Sequence, residues 1–245
     1  MALSKDLPPS ISTDLFLNGK LKVYQSKEWF KSGSDAVFLS AFPHISTGSV
    51  LEVGCGTGVV SLCLARQFPN IKIEGIDIQK ELVMLAQENA KKNNLASQCK
   101  FTLGDISSPP YEKQTFDHVV TNPPYFNNSS PSSNRNIVLA KNHVIPSKNW
   151  IHLCTNLVKP RGFIYCIYPT AQIEVIIQSL NGFGGVTLFP LWPKENTPSK
   201  RVLIKAQKSV TKPSAIHKGM VVHNEDGTYT KDAESILREG KRIIL

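Results

Sequence analysis

The stretch SVLEVGCGTGVVSLCLARQF, Ser49 to Phe68, limits what this chain can fold into more than any other part of it. A short apolar strand pattern runs into Gly54, Gly56 and Gly58, and the glycines run directly into an apolar-faced helix pattern. Glycines at such a junction permit a tight turn, close approach of a ligand to the backbone, and exposed N–H groups at a helix start. One strand–loop–helix unit cannot bury its own strand, so others must lie beside it, and the downstream sequence supplies them. IKIEGIDI, CKFTLGDI, FDHVVTN and GFIYCIYPT read as strands. KELVMLAQENAKKN, SKNWIHLCTNLVKPRG (stopped by Pro160) and AQIEVIIQSLNGFGG read as helices. VTLFPLW and RVLIKAQK, joined by Pro193 to Ser199, read as an antiparallel pair at the sheet edge. Strands alternating with helices predict an α/β fold with a doubly wound, mostly parallel sheet whose active edge lies at the strands' carboxyl ends.

Outside this alternation the patterning is weaker. Residues 1–22 are expected to be a loose segment, and residues 23–245 a single domain. That domain has an N-terminal helical extension opened by Gly33 and Ser34, with Asp35 near the helix's positive end. Its C-terminal addition is a short strand, a turn at Asp226-Gly227 and a last helix capped by Thr230. The longest apolar run, Phe163 to Tyr168, is too short to span a bilayer, and Met1 to Lys20 lacks a signal peptide's apolar core, so a soluble cytoplasmic protein is expected. The five cysteines contain no C-x-x-C pair and lie in apolar or glycine-rich stretches, which predicts reduced, buried thiols. The six histidines show no metal-ligand spacing, and no metal is expected. A monomer is favoured.

Asp77 ends the next strand, 19 residues after Gly58, where a carboxylate can accept hydrogen bonds from a ribose diol. The dinucleotide fingerprint would need a third glycine at position 59, which is Val59, so a nicotinamide-dependent oxidoreductase is disfavoured. Glu52-x-Gly54-x-Gly56-x-Gly58 instead resembles motif I of the class I S-adenosylmethionine-dependent methyltransferases. The resemblance implies a Rossmann-like, seven-stranded sheet with an antiparallel edge strand, and S-adenosyl-L-methionine as cofactor. It implies further that Glu52 helps hold the amino acid part of the cofactor and that Asp77 takes the ribose. Ile78 would border the adenine, Asp105 in LGDI would meet its amino group, and Ile106 would lie beside the ring.

The chemistry sits in Asn122-Pro123-Pro124-Tyr125, at the carboxyl end of the fourth strand of the alternation. An exocyclic amino nitrogen shares its lone pair with the ring and is a poor nucleophile. Two acceptors directed at its hydrogens favour a more tetrahedral nitrogen and disperse developing positive charge. The Asn122 side-chain oxygen is one acceptor, and the Pro123 carbonyl, on a segment stiffened by successive prolines, is the other. Tyr125 offers a flat face for a target base. TNPPYF resembles motif IV of amino methyltransferases acting on adenine N6, guanine N2 or a glutamine amide, and by itself fixes reaction type better than substrate.

FKSGSDAVFLSAF upstream, NPPYF followed by an Asn/Ser loop, and GTYTKDAESILREG near the end together resemble the bacterial tRNA1(Val) (adenine-37-N6)-methyltransferases. The resemblance implies that Lys31 to Asp35 closes over the cofactor, with Asp35 as a cofactor residue, and that the substrate is tRNA. The net charge of +9 suits a polyanionic partner. Arg135, Lys141 and Lys148 lie in a segment, Asn127 to Lys148, that holds no acidic residue, and are the candidate RNA contacts. Alternatives are rRNA guanine N2 or adenine N6, a protein glutamine, or a non-catalytic RNA-binding protein of this fold.

Overall fold

The computed structural model describes residues 10–29, 31–123 and 145–245. The alternating segments form one sheet: β3 (Ser49–Val53), β4 (Lys72–Asp77), β5 (Cys99–Leu103), β6 (Phe116–Thr121), β7 (Val158–Pro169), β8 (Phe183–Trp192) and β9 (Arg201–Lys208). Two-residue strands β10 (Ala215–Ile216) and β11 (Met220–Val221) both pair with β8. Across the sheet the order is β10-β8-β9-β7-β6-β3-β4-β5. Strands β5, β4, β3, β6 and β7 run parallel, and β9 is antiparallel to both β7 and β8. The antiparallel strand therefore lies one place in from the β8 strand, rather than at the rim. The chain steps from β3 outward to β4 and β5, then returns to place β6 on the other side of β3. This reversal of direction is where an open α/β sheet leaves a crevice at its strand ends.

Side-chain alternation explains why both faces are covered. Val50, Ile73, Val120, Tyr165 and Leu203 point into one buried cluster, whereas Leu51, Ile76, Val119, Ile164 and Ile204 point into the other. Helices α1 (Ser34–Ala41), α2 (Val59–Gln67) and α3 (Lys80–Lys92) contribute to the first cluster. Helices α4 (Ser147–Leu157) and α5 (Ile173–Ser179) contribute to the second. Each fully buried Leu, Ile or Phe in them contributes about 1.5–3 kcal/mol. All five cysteines are free and buried.

Within the segment expected to be loose, residues 10–22 are ordered. β1 (Ile11–Phe16) and β2 (Leu21–Ser26) form an antiparallel hairpin, and Leu17, Leu21 and Val23 join the first cluster. The turn holds Leu17, Asn18 and Gly19 at positive φ, which suits its Asn-Gly pair. β2 is fastened to α3 by side-chain amides. Asn89 accepts from the Tyr24 N–H (2.7 Å) and donates to the Tyr24 carbonyl (3.0 Å), and Asn93 does the same with Lys22 at 3.0 and 2.8 Å. Four residues of helix rise about 6 Å and two residues of strand about 6.6 Å, so amides at i and i+4 meet alternate strand residues.

The C-terminal addition closes on α1. Thr230 caps α6 (Lys231–Glu234) by accepting from the Ala233 N–H, and a π-helical turn, Ser235–Glu239, follows. Ile236 and Ile243 enter the first cluster, and the Ile243 N–H donates to the Ala41 carbonyl at 2.9 Å.

Candidate active site

The carboxyl ends of β3, β4, β5 and β6 lie along the crevice. β3 delivers Glu52 and then the loop Gly54–Gly58. Gly58 takes left-handed geometry (φ 83°) at the N-cap of α2, and a Cβ there would approach the Phe101 ring to 2.8 Å, so only glycine fits. Among the described residues nothing lies within 4 Å of where a Cβ on Gly56 would stand, which leaves this part of the loop's backbone accessible to a ligand.

Glu52 is 2% exposed. Its Oε2 accepts from the Ser61 N–H at 2.9 Å and from the Ser61 hydroxyl, bracing the first turn of α2. Burial pushes its pKa up to about 8, against the lowering effect of the Ser61 hydrogen bonds, and the nearby Asp77 adds to the rise. Asp77, at the end of β4, accepts from the Gly56 N–H at 2.8 Å and from the Gln79 N–H at 2.9 Å. Burial raises its pKa, and the backbone donors oppose the rise. Asp77 thus fixes the glycine loop, and Glu52 the helical turn that follows it.

Ile78 is 46% exposed, a large apolar side chain left uncovered at a strand end beside Asp77. Leu103, the register partner of Asp77 on β5, is 51% exposed, and sequence patterning alone did not single it out. Asp105 accepts from the Ser107 N–H at 2.8 Å and shapes the turn after β5. Ile106 is buried in the second cluster with Ile76, so the uncovered apolar surface here belongs to Ile78 and Leu103. An open glycine cradle, a strand-end carboxylate and two uncovered aliphatic side chains fit an adenosine-bearing cofactor.

The segment before α1 lies against the same loop. Gln25, 1% exposed, accepts through Oε1 from the Ser32 N–H (2.8 Å) and the Thr57 hydroxyl (3.3 Å), joining residues 31–35 to the glycine loop. Its role was not legible in the sequence. Asp35 pairs with Arg201 Nε at 2.8 Å, and Arg201 begins β9 opposite Pro169, on the sheet edge that carries the crevice.

β6 brings Asn122 and Pro123 to the crevice beside the loop, since Thr121 and Val53, the last residues of β6 and β3, are register partners. Pro123 is buried and Asn122 half-buried. Tyr125, Arg135 and Lys141 lie outside the described residues. Lys148 is exposed at the start of α4 and lines a recess of about 370 Å³ with Asn149, His152, Asn156, Asn181 and Lys208; among the described residues no acidic side chain lines it. Among the described residues no group of three His, Cys, Asp or Glu side chains converges, and no helix is long and apolar enough to cross a membrane.

Residues 45–225 match the family described as "Methyltransferase domain". Among curated proteins the chain is similar to tRNA1(Val) (adenine(37)-N6)-methyltransferase of Parabacteroides distasonis, 28% identical over 230 residues that cover 90% of this chain and 94% of that protein. It is similar to the enzyme of the same name from Actinobacillus succinogenes, 26% identical over 213 residues, 85% of this chain and 89% of that one. Among solved structures it resembles a predicted O-methyltransferase from Agrobacterium tumefaciens, with a TM-score of 0.70, 15% identity, and coverage of 85% of this chain and 98% of the other. A geranyl diphosphate C-methyltransferase from Streptomyces coelicolor, solved with S-adenosyl-L-homocysteine, gives a TM-score of 0.52 at 13% identity, covering 71% of this chain and 74% of that one.

Proposed function

The chain belongs to the methyltransferase-domain family matched over residues 45–225, and from that premise we propose that it transfers a methyl group from S-adenosylmethionine to N6 of an adenine in tRNA, adenine 37 of tRNA1(Val). The observation that carries this is the pairing of Val53 with Thr121, which makes the glycine loop and Asn122-Pro123 leave the sheet side by side. Similarity to tRNA1(Val) (adenine(37)-N6)-methyltransferases over most of the chain supports the choice of substrate. The net charge of +9 supports a nucleic-acid partner.

Gly54, Gly56 and Gly58 receive the cofactor along their backbone, and Asp77 takes the ribose. Ile78 and Leu103 border the adenine, with Asp105 at its amino group. Glu52 contributes through the first turn of α2 that it braces, and Asp35 through the segment that Gln25 holds against Thr57. S-adenosylmethionine, when bound, supplies an electrophilic methyl group on a sulfonium. Asn122 Oδ1 and the Pro123 carbonyl accept the two hydrogens of the target amino group and stabilise positive charge as it develops on nitrogen. A strong general base is unnecessary, because the proton leaves an already cationic product. Tyr125 stacks on the base, and an unpaired anticodon-loop adenine costs less to extrude than a duplex base. Arg135, Lys141 and Lys148 contact the RNA, and a tRNA substrate places the enzyme in the cytoplasm.

Mass spectrometry of nucleosides from unmodified tRNA incubated with protein and cofactor tests this directly. N6-methyladenosine is the expected product. Appearance of N2-methylguanosine instead, or methylation only of a protein glutamine, overturns the substrate assignment.

A further inference from the structure

We infer that Trp150 is a positioning residue for methyl transfer, setting the glycine loop and Asn122 in place relative to each other; this rests on the methyltransferase reading of the crevice. Trp150 stands near the start of α4, and its indole N–H donates to Thr121 Oγ1 at 2.9 Å. The Thr121 hydroxyl, which is fully buried, donates in turn to the Val53 carbonyl at 2.9 Å. An indole nitrogen only donates, so the direction of this chain is fixed: Trp150 to Thr121 to Val53. The edge of the six-membered ring next to that N–H stands where a side chain at Gly54 would be, with Cζ2 and Cη2 at 3.0 and 3.3 Å from that position. Gly54 is held on its other side, where its N–H donates to the Ile76 carbonyl at 2.9 Å.

One side chain therefore touches the first residue of the cofactor loop and bonds the residue that precedes Asn122. The parallel ladder fixes β3 against β6 only as far as Val53 and Thr121, and both functional segments begin one residue later. Beyond that point the indole spans the two. A misplacement of about 1 Å between reacting groups can cost on the order of a hundredfold in rate.

Three substitutions separate positioning from packing. Trp150→Phe removes the N–H and shortens the ring that reaches Gly54. Thr121→Val removes only the hydroxyl, and Thr121→Ser keeps it. We expect W150F and T121V to lower kcat by roughly ten- to a hundredfold, with cofactor affinity and the KM for tRNA changed by less than about threefold. T121S should stay near wild type, and the double variant should be no slower than the slower single one, because both act on one chain of bonds. In the cofactor-free proteins the backbone amide resonances of Gly54 and Asn122 should shift in W150F and T121V and stay in place in T121S. A packing role alone predicts lower melting temperatures with unchanged kcat for the folded protein, and that result overturns the inference, as do unmoved Gly54 and Asn122 resonances. If the wild-type protein leaves tRNA unmethylated, the substrate assignment fails separately and the resonances still decide the positioning claim.

Discussion

Glu52 is held at the site under opposing influences. Burial favours its neutral form and raises its pKa from 4.5 to about 8, although Ser61 donates to it twice. A group whose folded-state pKa is raised stabilises the fold fully below its unfolded pKa, and that contribution is lost as pH rises through the folded value. The cofactor-free protein should therefore lose stability between about pH 4.5 and 8 from this group, on the order of a few kcal/mol at about 1.4 kcal/mol per unit. His118 works with the opposite sign, since burial lowers its pKa from 6.5 and its contribution is lost as pH falls below that value. The difference between wild type and Glu52→Gln isolates the carboxyl, because Gln keeps an acceptor for Ser61 without ionising. Urea unfolding at pH 5, 6.5 and 8 should show wild type falling relative to E52Q as pH rises. Parallel stability curves would mean that Glu52 is already ionised in the fold.

At the scale of elements, the hairpin and α3 support the cofactor loop together. Asn89 is fully buried and bonds the N–H and carbonyl of Tyr24, and its Nδ2 also donates to the Thr57 carbonyl at 3.0 Å. One side chain thus joins β2, α3 and the glycine loop. Asn89→Ala leaves the buried Thr57 carbonyl and the part-buried N–H and carbonyl of Tyr24 unpaired, at about 1–3 kcal/mol for the buried group and less for the other two. We expect a loss of roughly 3 kcal/mol in unfolding free energy, together with faster hydrogen exchange at Tyr24 than at Val53. Unchanged stability with unchanged exchange at Tyr24 would contradict this role. The hairpin escaped sequence patterning because Ile11–Phe16 alternates weakly and because β2 meets α3 through side-chain amides, which no periodicity reveals. Its Asn18-Gly19 turn was the one local clue. Gln25 and Trp150 escaped for the same reason: each acts across elements far apart in sequence.

For the whole molecule, the alternation from Ser49 onward made the parallel sheet and its active edge legible, because a strand buried on both faces must read as a short apolar run. Gly54, Asp77 and Asn122 were legible because each follows or ends such a run at the same edge. Ile106 was less so: LGDI places it next to Asp105 in sequence, but the turn sends it into the core and leaves Leu103 uncovered. The placement of β9 between β7 and β8 depends on the return of the chain through Pro193–Ser199, and strand order across an edge is not encoded in any single segment. The addition at the C-terminus packs back on α1.

Methylation of N6 of one adenine in tRNA is the reaction proposed for this crevice. It is tested most directly by comparing a tRNA1(Val) transcript with the same transcript carrying guanine in place of adenine 37. Each is incubated with the protein and labelled S-adenosylmethionine and then digested for nucleoside analysis. N6-methyladenosine, close to one per molecule, is expected in the first and none in the second. Equal incorporation into both transcripts, or none into either, would contradict it.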